Sequence, residues 1–388
     1  MGQWTEYYCD PSIAGDSGAG TVGDPWGDLE YSIAQIAAGP GRDTSNGDRI
    51  NVKTGTDEVL VAALDITGAY GTPTRSAPLV IQGYTTAADD RGVGGISGGS
   101  AVSICTQDVI LHFIDMHLHT VGARPIITEG NSNWPRHYIR CEINGNSGSN
   151  NDGIGNGAHY GRYIDCYFHD IGGSAIDNPN TAPLVRDCVF ETCAVDTTSG
   201  GVIKTSGNGP TIEFNCILVD DLSPHGLLIQ SPGAHILHNS IHSSVASTHR
   251  GMHLDGEPNI VENNIVEGFS GAGGVGFYQG SDNYSVFEGN AVYNCTSAYN
   301  QTRYAFLDGS DNETLGSAPF NDPTNLDFSI NDVGNLRATT AGDAGAWPLT
   351  TLGGTQKRYF SKGAIQVQPS AGGGGGTIRR HPKVLGGS

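Results

Sequence analysis

The sequence predicts an all-β solenoid: a parallel β-helix of about 25 residues per coil, with an N-terminal capping helix and a C-terminal cap. Three observations predict it. The segments YIRCEI, YIDCYF, VRDCVF, EFNCIL, LHNSIH, ENNIVE and FEGNAV share one pattern: an apolar approach, a Cys or Asn, one free position, then an apolar residue. Their marks, Cys141, Cys166, Cys188, Cys216, Asn239, Asn264 and Asn290, follow Met116 of FIDMHLH at intervals of 25, 25, 22, 28, 23, 25 and 26. A second series keeps the same period between them: Gly153-Ile154, Ala175-Ile176, Gly201-Val202, Gly226-Leu227, Gly251-Met252 and Gly276-Phe277. A fixed period of this size in short β-type segments means a solenoid. The apolar stripes of helical repeats and the LxxLxL lines of leucine-rich repeats are both missing.

The front supplies a cap. In DPWGDLEYSIAQIAA, the residues Trp26, Leu29, Ile33 and Ile36 recur at helical spacing, so a helix over this stretch plugs the first coil. GDRINVKTGT then reads as a turn and an opening strand, and residues 1–75 form the N-terminal cap with the first coil. Coils occupy 76–300, where the marked residues stack about 4.8 Å apart into a ladder. Its asparagines pass amide hydrogen bonds from coil to coil, and its cysteines are small buried hydrophobes. After Asn300 the repeat fades, and 301–370 reads as a closing cap, because a bare terminal coil exposes strand edges. Residues 371–388 form a glycine-rich linker and a basic tail.

Charge separates the tail from the body. The first 343 residues hold 14 basic and 40 acidic side chains; the last 45 hold six basic and no acidic ones. An acidic body repels nucleic acid and other polyanions, whereas a basic end on a glycine leash reads as a tether. The expected partner-binding residues are Ile378, Arg379, Arg380, Lys383 and Leu385. No run of about 18 apolar residues occurs, so no membrane helix is expected. The eight cysteines form no CxxC pair, which argues against structural zinc. The N-terminus lacks a basic segment followed by an apolar one, so the chain is expected to fold, thiols reduced, in a cytoplasm.

The opening, YYCDPSIAGDSGAGTVGDPWGDLEYSIAQI followed by GDRINVKTGT, resembles that of right-handed parallel β-helix proteins of the pectate-lyase-like superfold. The close, PFNDPTNLDFSI through KGAIQV, resembles the ending of the same group, except that Ser361-Lys362 stands where an Asp-Ile is usual. Together the ends and coils cover about residues 5–368. The resemblance implies the fold. For function it implies polysaccharide lyases, polygalacturonases, tailspikes or non-catalytic virion proteins. The glycine linker and basic end are similar to those of β-helix proteins carried on phage virions.

For lyase chemistry, a base must abstract a proton from a uronate, and cations must offset the developing charge. The strand series offers Asp152, Asp177, Lys204, His253 and Asp255, with Lys204 and His253 two coils, or about 10 Å, apart. A hydrolase needs paired carboxylates. VDDLSPHG, with Asp220, Asp221 and His225, superficially resembles the polygalacturonase DD and GHG motifs, but lacks the glycine before the histidine. Alternation puts His117 and His119 on one face, enough for two metal ligands if a neighbouring coil brings a third; they read first as ordinary strand histidines. GSDNYS and DGSDNE could hold Ca²⁺ but lack EF-hand spacing. No cofactor and no metal are therefore expected.

This thin inventory favours a non-enzymatic structural protein of a phage particle, made in the host cytoplasm. It would be a decoration, fibre or spike component, tethered through its basic tail and contacting other virion proteins or its own copies, with a trimer as one form of the homo-oligomer. The alternative is a polysaccharide-binding or polysaccharide-degrading protein, a lyase or glycoside hydrolase, acting through Asp177, Lys204, His253 and Asp255.

Overall fold

The computed structural model describes residues 4–330, apart from 40, 99–101, 106–108, 121–126, 129–134, 146–150, 156–159, 179–181, 195–199, 222–223, 257, 281–284, 302–305 and 308–311, and adds the strand pair 349–350 and 356–357. The tail residues Ile378, Arg379, Arg380, Lys383 and Leu385 lie outside the described residues.

Short β-type segments separated by polar turns bury their apolar faces by winding into three parallel sheets. The first has twelve strands, from Thr5–Cys9 to Phe306–Leu307. The second has eleven, from Glu58–Val59 to Glu313–Thr314, and the third has eight, from Ile127–Thr128 to Ser297–Gln301. Each strand pairs with its counterparts in the coils before and after it. The molecule is thus a parallel β-helix.

Inward positions stack like on like. In the first sheet the rings of Phe113, Tyr138 and Tyr163 lie 5.7 and 5.3 Å apart and nearly parallel, all fully buried. In the second, Leu118, Ile143, Phe168, Phe190, Ile217 and Ile241 follow one row. In the third, the row is Ile154, Ile176, Ile203, Leu227, Met252 and Phe277. The third coil of this row uses Val202-Ile203, one residue beyond the Gly201-Val202 pair picked by periodicity. All of these residues belong to one core.

Helix α1 (Leu29–Ala38) forms where the apolar spacing places it. Asp28 caps it, its side chain accepting from the Tyr31 N–H at 2.7 Å, and Leu29, Ile33 and Ile36 are buried. At the other end, Phe320–Asp322 pairs antiparallel with Asp327–Ile330. This described part of the expected cap folds over the outer face of the second sheet, where Phe320 and Phe328 cover Cys216, Ile265 and Ala291.

That placement corrects the ladder. Cys141, Cys166 and Cys188 occupy it, each Sγ lying 3.3–3.5 Å from two main-chain carbonyl oxygens that share its single S–H donor. The next rung is Asn215, not Cys216. The Asn215 Oδ1 accepts from the Cys188 N–H at 3.0 Å, and its own amide donates to the Asn239 Oδ1 at 2.9 Å. Asn239, Asn264, Asn290 and Asn312 continue the chain of amides. Cys216, one residue on, faces the opposite way, because a single step along a strand reverses the side chain. All eight cysteines are in the thiol form, outside any disulfide, and all but Cys295 are buried.

Burial also keeps several histidines neutral. Desolvation pulls His112 down to about 3, His137 to about 4 and His238 to about 4, and His225, crowded as well by His253, to about 2. The unfolded chain takes up these protons near pH 6.5, while the folded one refuses them. Stability is therefore expected to fall as pH drops from about 6.5 towards 4, by on the order of 1 kcal/mol per pH unit for each histidine. Thermal melts at pH 7, 6 and 5 check this; a flat midpoint would show that these imidazoles are protonated in the fold.

Candidate functional site

The third sheet puts an unbroken register row on its outer face: Asp177, Lys204, Leu228, His253, Tyr278 and Asn300, one per coil. Their inward neighbours Ile176, Ile203, Leu227, Met252 and Phe277 anchor the strands in the core, so alternation turns the row outward. Asp177 and Lys204 stand on adjacent coils and pair, Nζ to Oδ2, at 2.9 Å. Asp152, one coil before Asp177, accepts from the Ser174 N–H at 2.8 Å. Burial, reinforced by the Asp177 charge, pushes the Asp152 carboxyl up to about 6.

Beyond Leu228, which is 5% exposed, the wall carries a second group. His253 Nε2 meets the Asp255 carboxylate at 2.8 Å, and its Nδ1 lies 3.3 Å from both His225 Nε2 and an Arg250 nitrogen. The Arg250 guanidinium sits 3.8 Å from the centre of the Tyr278 ring. The main-chain N–H of Arg250 donates to His225 Nδ1 at 3.2 Å, which fixes that ring's tautomer with the proton on Nε2. Desolvation holds His253 and His249 below the ordinary imidazole range.

The four residues expected from sequence thus share one wall but divide into two pairs, Asp177 with Lys204 and His253 with Asp255. Arg250 and Tyr278 were not among the expected site residues. Tyr278 could have been found by counting 25 from His253. His225 reaches this wall without the acidic residues expected beside it: Asp220 instead accepts from the Thr192 hydroxyl at 2.7 Å on the second sheet's side. Most of the two turns considered for Ca²⁺ lies outside the described residues. On the second sheet, His117 and His119 do share a face, and the third donor beside them is Asp57.

No family model matches the chain, and no curated protein matches it. Among solved structures it is similar to the native GH136 lacto-N-biosidase from Eubacterium ramulus, at 12% identity and a TM-score of 0.39, over 80% of this chain and 68% of that one. Nothing in these comparisons concerns a virus particle.

Proposed function

We propose that the protein is a carbohydrate-active β-helix enzyme, a glycoside hydrolase that cleaves an extended glycan laid along the outer wall of the third sheet. One observation carries this reading: two carboxylates on adjacent coils have opposite surroundings. Asp152 is desolvated and holds its proton to about pH 6, whereas Asp177 is paired with the Lys204 ammonium. Carboxyls set apart in this way supply the acid and the anionic partner that glycosidic cleavage needs. Asp152 would protonate the leaving oxygen; Asp177 would act as nucleophile or as base for water.

The second group fits a binding role. The imidazoles of His225 and His253, the Arg250 guanidinium and the Tyr278 ring offer polar edges and apolar faces two to four coils beyond Asp177, about 10–20 Å along the wall, the reach of neighbouring sugar units. This arrangement favours a carbohydrate-active protein over the purely structural role expected from composition. The test is a panel of neutral and uronate-containing polysaccharides, assayed for new reducing ends. Asp177→Asn should lower cleavage at least 10³-fold while leaving the melting curve in place. A panel that is bound but not cleaved would reduce the protein to a glycan-binding one, and a panel neither bound nor cleaved would remove the reading.

A further inference from the structure

We propose that Asp57, His117 and His119 form a binding site for one divalent first-row transition ion of the zinc class, on the outer face of the second sheet and separate from the carboxylate wall. One donor atom from each of the three lies within 4.8 Å of the others. His119 Nδ1 is 3.5 Å and His117 Nδ1 is 3.8 Å from the Asp57 Oδ2. Donors at the corners of a tetrahedron with bonds of about 2.1 Å stand about 3.4 Å apart, so only small side-chain movements are required. Two imidazoles and one carboxylate are a borderline donor set that suits Zn²⁺, Co²⁺ or Fe²⁺ better than Ca²⁺ or Mg²⁺. Three protein donors leave a fourth position for water or substrate.

The fold is cut to bring these groups together. Gly95 pairs with His117, and Ser97 with His119. On the coil before, Glu58 pairs with Ile96, which puts Asp57 over Gly95. A Cβ on Gly95 would stand 1.7 Å from the Asp57 Oδ1, so the missing side chain lets the carboxylate lie across that coil towards the imidazoles of the next. His119 Nδ1 and His117 Nε2 are buried atoms without a hydrogen-bond partner. A buried imidazole nitrogen left open in this way is costly unless something takes it up. With His117 Nδ1 turned to the ion, its Nε2 faces the Glu142 carboxylate, 3.9 Å away. Glu142 is itself held by His169 Nε2 at 3.1 Å. This is the carboxylate–histidine–metal arrangement that orients ligands in metal sites.

The experiment uses the full chain, stripped with chelator and titrated with Zn²⁺ by calorimetry and with Co²⁺ by visible absorption at pH 7.5. The expected result is one site of micromolar affinity or tighter, with the intense visible bands of tetrahedral Co²⁺. His119→Gln, which keeps the bulk of the side chain, should weaken binding at least 100-fold. Gly95→Ala should weaken it at least 10-fold with both imidazoles intact, and Glu142→Gln by about 10–100-fold. His235→Ala, on the first sheet, should leave binding unchanged and so separates this site from histidines in general. A wild-type Kd above about 100 μM, or a folded His119→Gln protein that binds as tightly as wild type, would overturn the proposal.

Discussion

Asn239→Ala is expected to lower unfolding stability by about 3–5 kcal/mol, read from urea denaturation followed by circular dichroism. The side chain is fully buried. Its Oδ1 accepts from the Asn215 main-chain N–H at 3.1 Å and from the Asn215 amide at 2.9 Å. Its Nδ2 donates to the Ile212 carbonyl at 2.8 Å and to the Asn264 Oδ1 at 3.0 Å. Alanine removes all four interactions. It strands two donors of Asn215 and the Ile212 carbonyl in a dry turn, at about 1–3 kcal/mol for each group left unmet. Water entering the vacated space recovers part of this, which sets the lower end of the range. Asn239→Asp keeps an acceptor but loses both donors and places a charge in the stack, so it should be no milder. In a solenoid, damage at one coil weakens both of its interfaces, so the loss should appear in the cooperative transition. A change below about 1 kcal/mol would show that the amide stack adds little beyond strand pairing.

The ladder also shows what the sequence could and could not reveal. The residue before each rung from Met116 to Asn290 adopts a left-handed backbone: Asp115, Arg140, Asp165, Asp187, Phe214, His238, Asn263 and Gly289, all with φ between 53° and 62°. Five of these eight are Asp, Asn or Gly, the residues that tolerate this conformation, so the turn itself has a readable signature. At Phe214 the signature fails, because a bulky aromatic takes the strained place. There its ring stacks on that of His238 at 4.9 Å, with the Arg186 guanidinium 5.8 Å from its centre. Periodicity then had two candidates, Asn215 and Cys216, and a preceding run of cysteines favoured the wrong one. The third sheet has a similar limit. Asp177, Lys204 and His253 are legible by alternation along straight strands. His225 and Arg250 lie before bends at Gly226 and Gly251, where a Cβ would meet the Gly251 oxygen at 2.6 Å or a Val266 methyl at 2.2 Å. A bend resets the phase, so counting by twos from Leu228 or His253 misses them.

Asp152→Asn is expected to lower kcat/KM on a cleaved glycan by at least 10³-fold, with KM changed far less, because the amide occupies the same space but has no proton to give. The pH profile of the wild-type enzyme should share the cause. A general acid works only while protonated, so the alkaline limb should fall near pH 6, where Asp152 ionises. Its raised pKa comes from desolvation first and from the Asp177 charge second, with Lys204 acting in the opposite direction. Asp177→Asn should therefore lower the Asp152 midpoint, and Lys204→Met should raise it. Carbon-detected NMR of the Asp152 carboxyl reads both shifts without a substrate. The linkage to stability has the sign opposite to that of the buried histidines. The folded pKa lies above the ordinary value of 3.8, so the folded state holds the proton more tightly. This contribution is present below about pH 4 and is lost as pH rises through 6. Asp152 thus offsets part of the histidine-driven loss between pH 6 and 4, and Asp152→Asn should make stability fall more steeply across that window, by about 1 kcal/mol per pH unit. If Asp152 titrated near 4 in both variants, the carboxyl would be solvated and ionised, and the wall would lack a proton donor at neutral pH.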